Sequence, residues 1–400
     1  MVYNNKFGMF IHCGIYALTG IQDQAIARLS LDRKEYENLT KKFNPVKYNP
    51  EEWVKLAKSA GMKYICFTTK HHDGFCMWNT EFTDYKITNT PYGKDVLKEL
   101  ADACEKHGML LSLYYSNPDW HHPYGYNPKS SHQWCCVQTD KPDLETYKTY
   151  IKNQVTELLT NYGKIYTFFW DIPPRVCDES MNELVRSLQP DILINDRGWS
   201  KGDFSTPERE YESPKSNCFT RMTEACNSVG QQSWGYRENE DFYSIRHLTC
   251  SIDKIMSKGG SYLLNVGPSP EGDITKDYAE RIRKVGDWYN RMQGCLEEGE
   301  EDTFNYESRG NVCAATKKNG KTYLHFYEGL ISTAVNLKNY PSLPKSVKLL
   351  NTGKMLEAKI EYLPEFFNGD TGKCEDKYLH ITGIPTDDLT NEPIVLEIEW

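Results

Sequence analysis

Asp171 ends the run Lys164-Ile-Tyr-Thr-Phe-Phe-Trp170, so a carboxylate closes a β-type apolar and aromatic stretch. A charge at the end of a buried strand is costly unless it faces a cleft, and that placement points to chemistry. Three other acidic residues sit comparably. Asp73 follows His71-His72, Glu208 lies in the loop-like stretch Gly202-Asp-Phe-Ser-Thr-Pro-Glu208, and Glu224 follows Phe219-Thr-Arg-Met222, a second β-type run. Two carboxyl groups flanking one bond serve glycoside hydrolysis: one attacks or activates water, and the other protonates the leaving oxygen. An Asp on a rigid strand end suits the nucleophile, whereas a Glu on an adjoining loop, desolvated enough to raise its pKa, suits the acid/base. Any one of these carboxylates can equally be a helix cap or a surface ion pair. Asp171 stands apart because Phe168, Phe169 and Trp170 frame it.

The histidines admit several readings. In His71-His72-Asp73-Gly74-Phe75, neighbouring strand residues point to opposite faces, which disfavours two rings on one metal ion. Contact with a sugar hydroxyl is preferred, ahead of a structural hydrogen bond and then a metal. His121-His122 belongs to a Pro-, Asn- and Tyr-rich loop, Asn117 to Lys129, suited to shaping a pocket rim. His107 and His247 fall within helices and read as structural. The 13 cysteines are odd in number, scattered and without a Cys-x-x-Cys pair, and the adjacent Cys135-Cys136 suits neither zinc nor an ordinary disulfide. Cys66, Cys104, Cys226 and Cys250 lie in apolar contexts and read as buried, reduced thiols. No metal is expected.

The elements that must position these groups alternate up to about residue 295. Phe7-Gly-Met-Phe-Ile11 runs into His12, Tyr64-Ile-Cys-Phe67 into Lys70-His71-His72-Asp73, and Leu110-Leu-Ser-Leu113 into Tyr114-Tyr115-Ser116-Asn117. Ile192-Leu-Ile194 runs into Asn195-Asp196-Arg197, and Tyr262-Leu-Leu264 into Asn265. Between them, helical spacing marks 50–60, 94–104, 144–162, 179–188, 242–256 and 277–292, several ending at a glycine such as Gly61, Gly108 or Gly163. Seven or so such units predict an α/β fold, a (β/α)8-like TIM barrel over residues 1–297 with its polar strand ends gathered at one mouth. After residue 300 short alternating runs separated by turns such as Lys318-Asn319-Gly320 predict a small all-β sandwich, 298–400. No Gly-x-Gly-x-x-Gly and no phosphate loop follows a strand, which disfavours a nucleotide cofactor.

Bulk properties agree. A chain of 400 residues exceeds one ordinary core, hence two domains. Net charge of −9 without a basic run disfavours nucleic acid, and no apolar stretch approaches the roughly 18 residues of a membrane span. The opening Met1-Val-Tyr-Asn-Asn-Lys6 has no charged-then-apolar leader, so the expected place is cytoplasmic, or secreted or periplasmic with a leader removed. Aromatic content of 13% suits faces that are half apolar and half hydrogen-bonding, as sugars require, although most of these rings fill the core.

The ordered motifs Phe7-Gly-Met-Phe-Ile-His12-x-Gly14, Thr69-Lys-His-His-Asp-Gly-Phe75, Leu113-Tyr-Tyr-Ser116 with Asp119-Trp120-His121, Asn195-Asp-Arg197, Ser233-Trp-Gly-Tyr236 and Ser257-Lys-Gly-Gly-x-x-Leu-Leu-Asn-Val-Gly267 resemble those of the family 29 glycoside hydrolases, the α-L-fucosidases. The resemblance covers roughly residues 5–295, and the downstream β-sandwich fits it. It implies exo-acting, retaining hydrolysis of a fucosylated oligosaccharide or glycoconjugate through a covalent intermediate, without metal or cofactor. Asp171 matches the family nucleophile, although the usual Trp-Phe-Asp-Gly stands here as Phe-Trp-Asp-Ile172. Thr-Pro-Glu points to Glu208 as acid/base and a later Glu-x-Cys segment to Glu224, with Glu208 preferred. His12, His71, His72, Tyr115 and Arg197 match positions that hold the fucose, Trp234 matches an aromatic against its methyl face, and Trp78 is grouped with these contacts. Two departures bear on sugar choice. Cys13 stands where relatives usually carry Trp, and Ile21-Gln22-Asp23-Gln24-Ala25 where they carry a sugar-gripping Glu-Trp, which Asp23 or Gln24 would partly replace. The rival readings are the same mechanism on a related sugar such as L-galactose or D-arabinose, an idle fucose-binding lectin, and a metal hydrolase built on His71, His72 and Asp73.

Overall fold

In the computed structural model the described residues are 5–125, 132, 143–174, 176–209, 218–302, 308, 310–338, 342–362 and 377–400. Seven strands form one parallel sheet: β1 (Phe7–Ile11), β2 (Tyr64–Lys70), β3 (Leu110–Ser116), β4 (Ile165–Asp171), β5 (Leu193–Ile194), β6 (Glu224–Ser228) and β7 (Ser261–Val266). Their order is β5-β4-β3-β2-β1-β7-β6, which leaves β5 and β6 as the two edges. An irregular segment, 204–208, fills the space between those edges through parallel bridges Asn195 to Phe204, Ser205 to Thr223 and Glu208 to Cys226. Backbone N–H groups of Asp196, Ser205 and Cys226 donate to Phe204, Met222 and Pro207 at 2.9, 3.0 and 2.9 Å. The ring is thereby closed, and its eighth stave carries Glu208.

Inside the ring, Phe10, Tyr64, Cys66, Tyr114, Phe169, Cys226 and Leu263 pack as one cluster, so the barrel is filled rather than hollow. Helices cover the outside for reasons visible in their ends. Pro50–Ser59 begins at Asn49, whose side chain accepts from Glu51 and Glu52 N–H, with Pro50 in the first turn, where its missing N–H costs nothing. Val96–His107 is capped by Asp95, buries Val96, Leu97, Leu100, Ala103 and Cys104, and stops at Gly108 with φ 63°. Leu144–Asn161, Glu179–Leu188, Ile245–Met256 and Lys276–Leu296 complete the shell, each near its expected place.

One strand assignment needs correcting. The expected run Phe219–Met222 is not a strand; β6 starts at Glu224 itself. Glu224 therefore lies at the N-terminal end of its strand, 1% exposed, where the Tyr64 hydroxyl donates to its carboxylate inside the barrel.

The chain leaves the barrel at Leu296 and enters an antiparallel sheet: β8 (Glu300–Glu301), β9 (Ala314–Lys318), β10 (Lys321–Phe326), β11 (Ala334–Leu337), β12 (Ser346–Leu349), β13 (Met355–Tyr362), β14 (Lys377–Thr382) and β15 (Ile394–Glu399). β13 pairs with β12 at one end and with β14 along the rest, so the sheet folds over it into two layers. Leu324, Phe326, Leu349, Leu396 and Ile398 from one layer meet Val335, Leu337, Leu379 and Ile381 from the other. Asn319 and Gly320, at φ 51° and 76°, make the expected two-residue hairpin between β9 and β10. β13 is exposed along most of its length, although Leu356, Ala358, Ile360 and Tyr362 alternate with polar residues and the first two pack on the core between the layers. The layers dock on the barrel through His325, whose Nδ1 lies 2.8 Å from Asp253 Oδ1 while Thr316 Oγ1 meets its Nε2 at 3.0 Å.

At the barrel mouth Lys70, the last residue of β2, donates to Asp119 Oδ2 at 3.0 Å, with the two side chains 0% and 1% exposed. Asp119 in turn accepts the N–H groups of His121 and His122 through Oδ1 at 3.0 and 2.8 Å, so one buried ion pair ties the loop after β3 to the sheet. Burial opposes the charge of Asp119, but Lys70, then His122 and His121, hold its pKa below the ordinary value. Breaking such a pair strands an uncompensated charge. Lys70→Met is expected to lose about 3–5 kcal/mol of stability, read by urea unfolding. Loss of less than about 1 kcal/mol would show the pair to be dispensable.

Candidate active site

Strand alternation selects what faces the mouth. On β3 and β4 the register sets Tyr114 beside Phe169 and Ser116 beside Asp171, and Tyr114, Phe169 and Asp171 line a hollow of about 140 Å³. A cavity of about 150 Å³ takes a benzene ring, so this one is sized for a single six-membered ring. Tyr115 and Trp170 point outward instead. The Tyr115 hydroxyl donates to Gln154 Oε1 at 2.7 Å and the Trp170 indole to Asn182 Oδ1 at 3.0 Å, both on the helical shell. Trp78 is likewise behind the sheet, its indole donating to Glu157 Oε2 at 3.1 Å. Of the residues singled out from sequence, Asp171, Glu208, His12, His71, His72, Arg197 and Trp234 line the hollow, whereas Tyr115, Trp78 and Glu224 do not. The sequence reading missed Tyr114: its neighbour was chosen although only every second residue of a strand faces inward.

Asp171 is held on both oxygens. Tyr114 donates to Oδ2 at 2.7 Å and Arg197 to Oδ1 at 3.0 Å. Burial, then the Asp171 charge, keeps the Tyr114 phenol well above its usual pKa, so it stays a donor. The backbone behind Asp171 is fixed by Asn117, whose amide donates to the carbonyls of Asp171, Ile172 and Arg197 at 2.9, 3.2 and 3.2 Å. Ile172 has φ 56°, a left-handed conformation that a β-branched side chain adopts only under strain, at a cost of order 1–3 kcal/mol. The resemblance places glycine there, and in this chain the Asn117 hydrogen bonds hold the bend.

Arg197 also donates from the same Nη1 to Glu208, and from Nη2 to the Thr206 carbonyl. Burial works against the cation, but Asp171 and then Glu208 outweigh it and raise the Arg197 pKa. Arg197 owes its place to Asn195, which replaces the ladder missing beyond the two-residue β5. It accepts the Trp170 N–H and donates to the Trp170 carbonyl, both at 2.8 Å. Glu208 itself, 41% exposed at the side chain, is paired with Arg197 rather than desolvated, unlike the desolvated loop acid expected from sequence.

The opposite wall is histidine and tryptophan. Asn265 donates to the Trp234 carbonyl at 2.6 Å, and a carbonyl only accepts, which fixes the amide. Asn265 Oδ1 must therefore accept from His12 Nδ1 at 2.7 Å, leaving Nε2 of the neutral ring as an acceptor. Ser116 likewise spends its proton on the Pro118 carbonyl, so His72 Nδ1 donates to Ser116 Oγ at 2.7 Å and its Nε2 is bare. Trp234 is stacked with His12, the ring centroids 5.5 Å apart, and the Arg209 guanidinium lies 4.5 Å from its own centroid. Its turn packs so closely on Gly267 that a Cβ there would sit 2.3 Å from the Gly235 carbonyl carbon.

His71 and His72 both face the hollow, with centroids 4.1 Å apart, because they follow β2 in a turn where strand alternation no longer applies. Asp73 turns away, accepting from the Tyr36 hydroxyl at 2.8 Å. Among the described residues no group of three or more His, Cys, Asp or Glu is placed to hold a metal ion. Cys66, Cys104 and Cys226 are buried and free, Cys250 is half-buried, and Cys135-Cys136 lies outside the described residues. No described helix is long and apolar enough to cross a membrane.

Burial, then His71, pushes the His12 pKa below its ordinary 6.5, and the same two causes hold His72 well below it. The unfolded chain takes up protons near 6.5 that the fold refuses, so the stability present above that pH is lost as it falls. Asp73, raised by burial, opposes this by retaining its proton to higher pH in the fold. Unfolding free energy is expected to fall between about pH 6.5 and 4.5, by at most about 1.4 kcal/mol per pH unit for each histidine. His12→Gln should flatten that slope in a urea series; an unchanged slope would mean that His12 is already charged in the fold.

Known proteins supply the remaining comparison. A family model described as alpha-L-fucosidase matches residues 2–293. Alpha-L-fucosidase isoenzyme 1 from Paenibacillus thiaminolyticus is similar with a TM-score of 0.82 at 32% identity, covering 99% of this chain and 97% of that one. Tissue alpha-L-fucosidase of Rattus norvegicus is 25% identical over 91% of this chain and 83% of its own length. The fold is shared with an alpha-L-fucosidase from Bacteroides thetaiotaomicron solved as a trapped covalent intermediate with 2-fluoro-fucosyl fluoride, at 23% identity, TM-score 0.79, and coverage of 99% of this chain and 94% of that one. A model matched across the whole barrel, over the residues that gather at its mouth, gives the conclusion that this chain belongs to the alpha-L-fucosidase family of glycoside hydrolases, family 29.

Proposed function

We propose that the pocket hydrolyses terminal α-L-fucosyl linkages of glycans or glycosides with retention, Asp171 acting as nucleophile and Glu208 as acid/base. The observation that carries the proposal is the shared Arg197 nitrogen. Two oxygens hydrogen-bonded to one nitrogen lie within about 6 Å of each other, below the roughly 6.5–9.5 Å that an inverting enzyme needs for its water. Asp171 is buried at the pocket floor on a strand end, a rigid place from which to attack an anomeric carbon. Glu208 is at the rim, where the aglycone leaves, and its side chain is the more exposed of the two carboxylates. The bare Nε2 atoms of His12 and His72 accept sugar hydroxyl protons, and Trp234 offers an apolar face to the sugar. A hollow for one ring, floored by Phe10, Tyr114 and Phe169, admits only a chain end.

Asp171→Ala is expected to lose at least about 10³-fold in kcat on an aryl α-L-fucoside while keeping its melting temperature, and Glu208→Ala about 10²–10⁴-fold on poorly activated leaving groups. Azide should restore part of each rate, giving the β-fucosyl azide with the first variant and the α-anomer with the second, as read by proton NMR. An Asp171→Ala protein that works at the wild-type rate would sink the assignment.

A further inference from the structure

The irregular stave keeps one register against β6, Ser205 beside Thr223 and Glu208 beside Cys226. Pro207 lies between these two bridges and has no N–H to donate, so the ladder breaks just before Glu208. A single rung holds Glu208: the Cys226 N–H donates to the Pro207 carbonyl at 2.9 Å, and the Arg209 N–H to the Cys226 carbonyl at 3.0 Å. A continuous parallel ladder repeats such bonds along the strand, whereas one rung leaves a pivot. The side chain of Arg209 adds a second attachment. Its Nη1 donates to the carbonyls of Gln231 at 2.7 Å and Gly230 at 3.2 Å, and its Nη2 to that of Ser233 at 3.3 Å. Its guanidinium also lies 4.5 Å from the centroid of the Trp234 ring, within cation–π range. Arg209 makes these contacts at φ 48°, a left-handed conformation unfavourable for a residue with a Cβ. It is not part of the carboxylate pairing, which belongs to Arg197.

The turn that Arg209 grips is held by buried side chains. Asp23 Oδ1 accepts the N–H groups of Trp234 and Gly235 at 3.0 and 3.3 Å and the Ser233 hydroxyl at 3.3 Å. Glu240 Oε1 accepts the Gln232 N–H at 2.9 Å, and Asn265 donates to the Trp234 carbonyl at 2.6 Å. Arg209 thus spans from a stave with a broken ladder to a turn fixed on the barrel. We propose that Arg209 is a positioning residue for the acid/base: it sets Glu208 against the wall that carries Trp234, and so against the glycosidic oxygen of a sugar lying on that wall. The inference rests on Glu208 being the acid/base. Proton transfer needs hydrogen-bond reach, and a displacement of about 1 Å costs on the order of a hundredfold in rate. That cost depends on the aglycone. A poor leaving group needs the proton, whereas a strongly activated phenoxide departs without it.

The test compares the wild type, Arg209→Met and Glu208→Ala on phenyl and dinitrophenyl α-L-fucosides. In Arg209→Met, kcat/KM on the phenyl glycoside is expected to fall about ten- to a hundredfold, and on the dinitrophenyl glycoside less than about threefold, at unchanged melting temperature. Equal losses on the two aglycones would make Arg209 a support for the sugar wall alone, and wild-type values on both would make it dispensable; either result overturns the proposal. If Arg209→Met melts early, Arg209→Gly takes over, since glycine suits φ 48° while removing the side chain, and the same split between aglycones is expected. Glu208→Ala separates the two readings. Where it shows the split and the Arg209 variant does not, the positioning role alone falls. Where Glu208→Ala lowers both glycosides alike, the acid/base assignment falls and the positioning role with it.

Discussion

A guanidinium held between two carboxylates organises this pocket. Asp171 and Glu208 face each other across a space sized for one ring, and at that range like charges repel strongly in a partly dry site. Arg197 donates to both from one nitrogen and is backed by the Thr206 carbonyl, so the anions tolerate each other. The pairing also sets their separation, which is the quantity that distinguishes one stereochemical outcome from the other. The rest of the local structure serves that contact. Asn195 locks the chain beyond β5, Asn117 ties the Asp171, Ile172 and Arg197 carbonyls together, and a strained isoleucine is tolerated as the result.

The two carboxylates are supplied by unlike parts of the barrel. Asp171 terminates a central strand buried on both faces, whereas Glu208 belongs to the irregular stave bridging β5 and β6. A regular strand there would hold its side chains as stiffly as Asp171 is held. Three isolated bridges hold it less tightly, which suits a group that must exchange protons with an entering and a departing molecule.

Much of this was legible in the chain. Polar residues at the ends of β-type runs marked the mouth, and capping residues with closing glycines marked the helices. The errors have distinct physical origins. Tyr115 and Tyr114 cannot be told apart from sequence because two adjacent tyrosines leave the strand phase ambiguous until register is known. Glu224 was put at the wrong end of its strand because the preceding run Phe219–Met222 has β-type composition while the ladder begins two residues later. Trp78 lies behind the sheet, where no periodicity of its own loop could have placed it. His71 and His72 were set apart by an alternation rule that ends where the strand does. Asp23 was noticed only as a departure from a pattern; its partners, Ser233 to Gly235, lie some two hundred residues away in the chain.

The floor of the hollow is the packed barrel interior, with Phe10, Tyr114, Phe169 and Cys226 meeting Tyr64, Cys66 and Leu263 beneath. A cavity floored in this way is entered from the mouth where the strands end, and substrate and products share that mouth. The departing alcohol therefore vacates first, water follows it inward, and the freed monosaccharide exits last. Any other alcohol waiting at that doorway competes with water for the trapped sugar, so the same architecture that trims chain ends is also disposed to build them when acceptors are abundant.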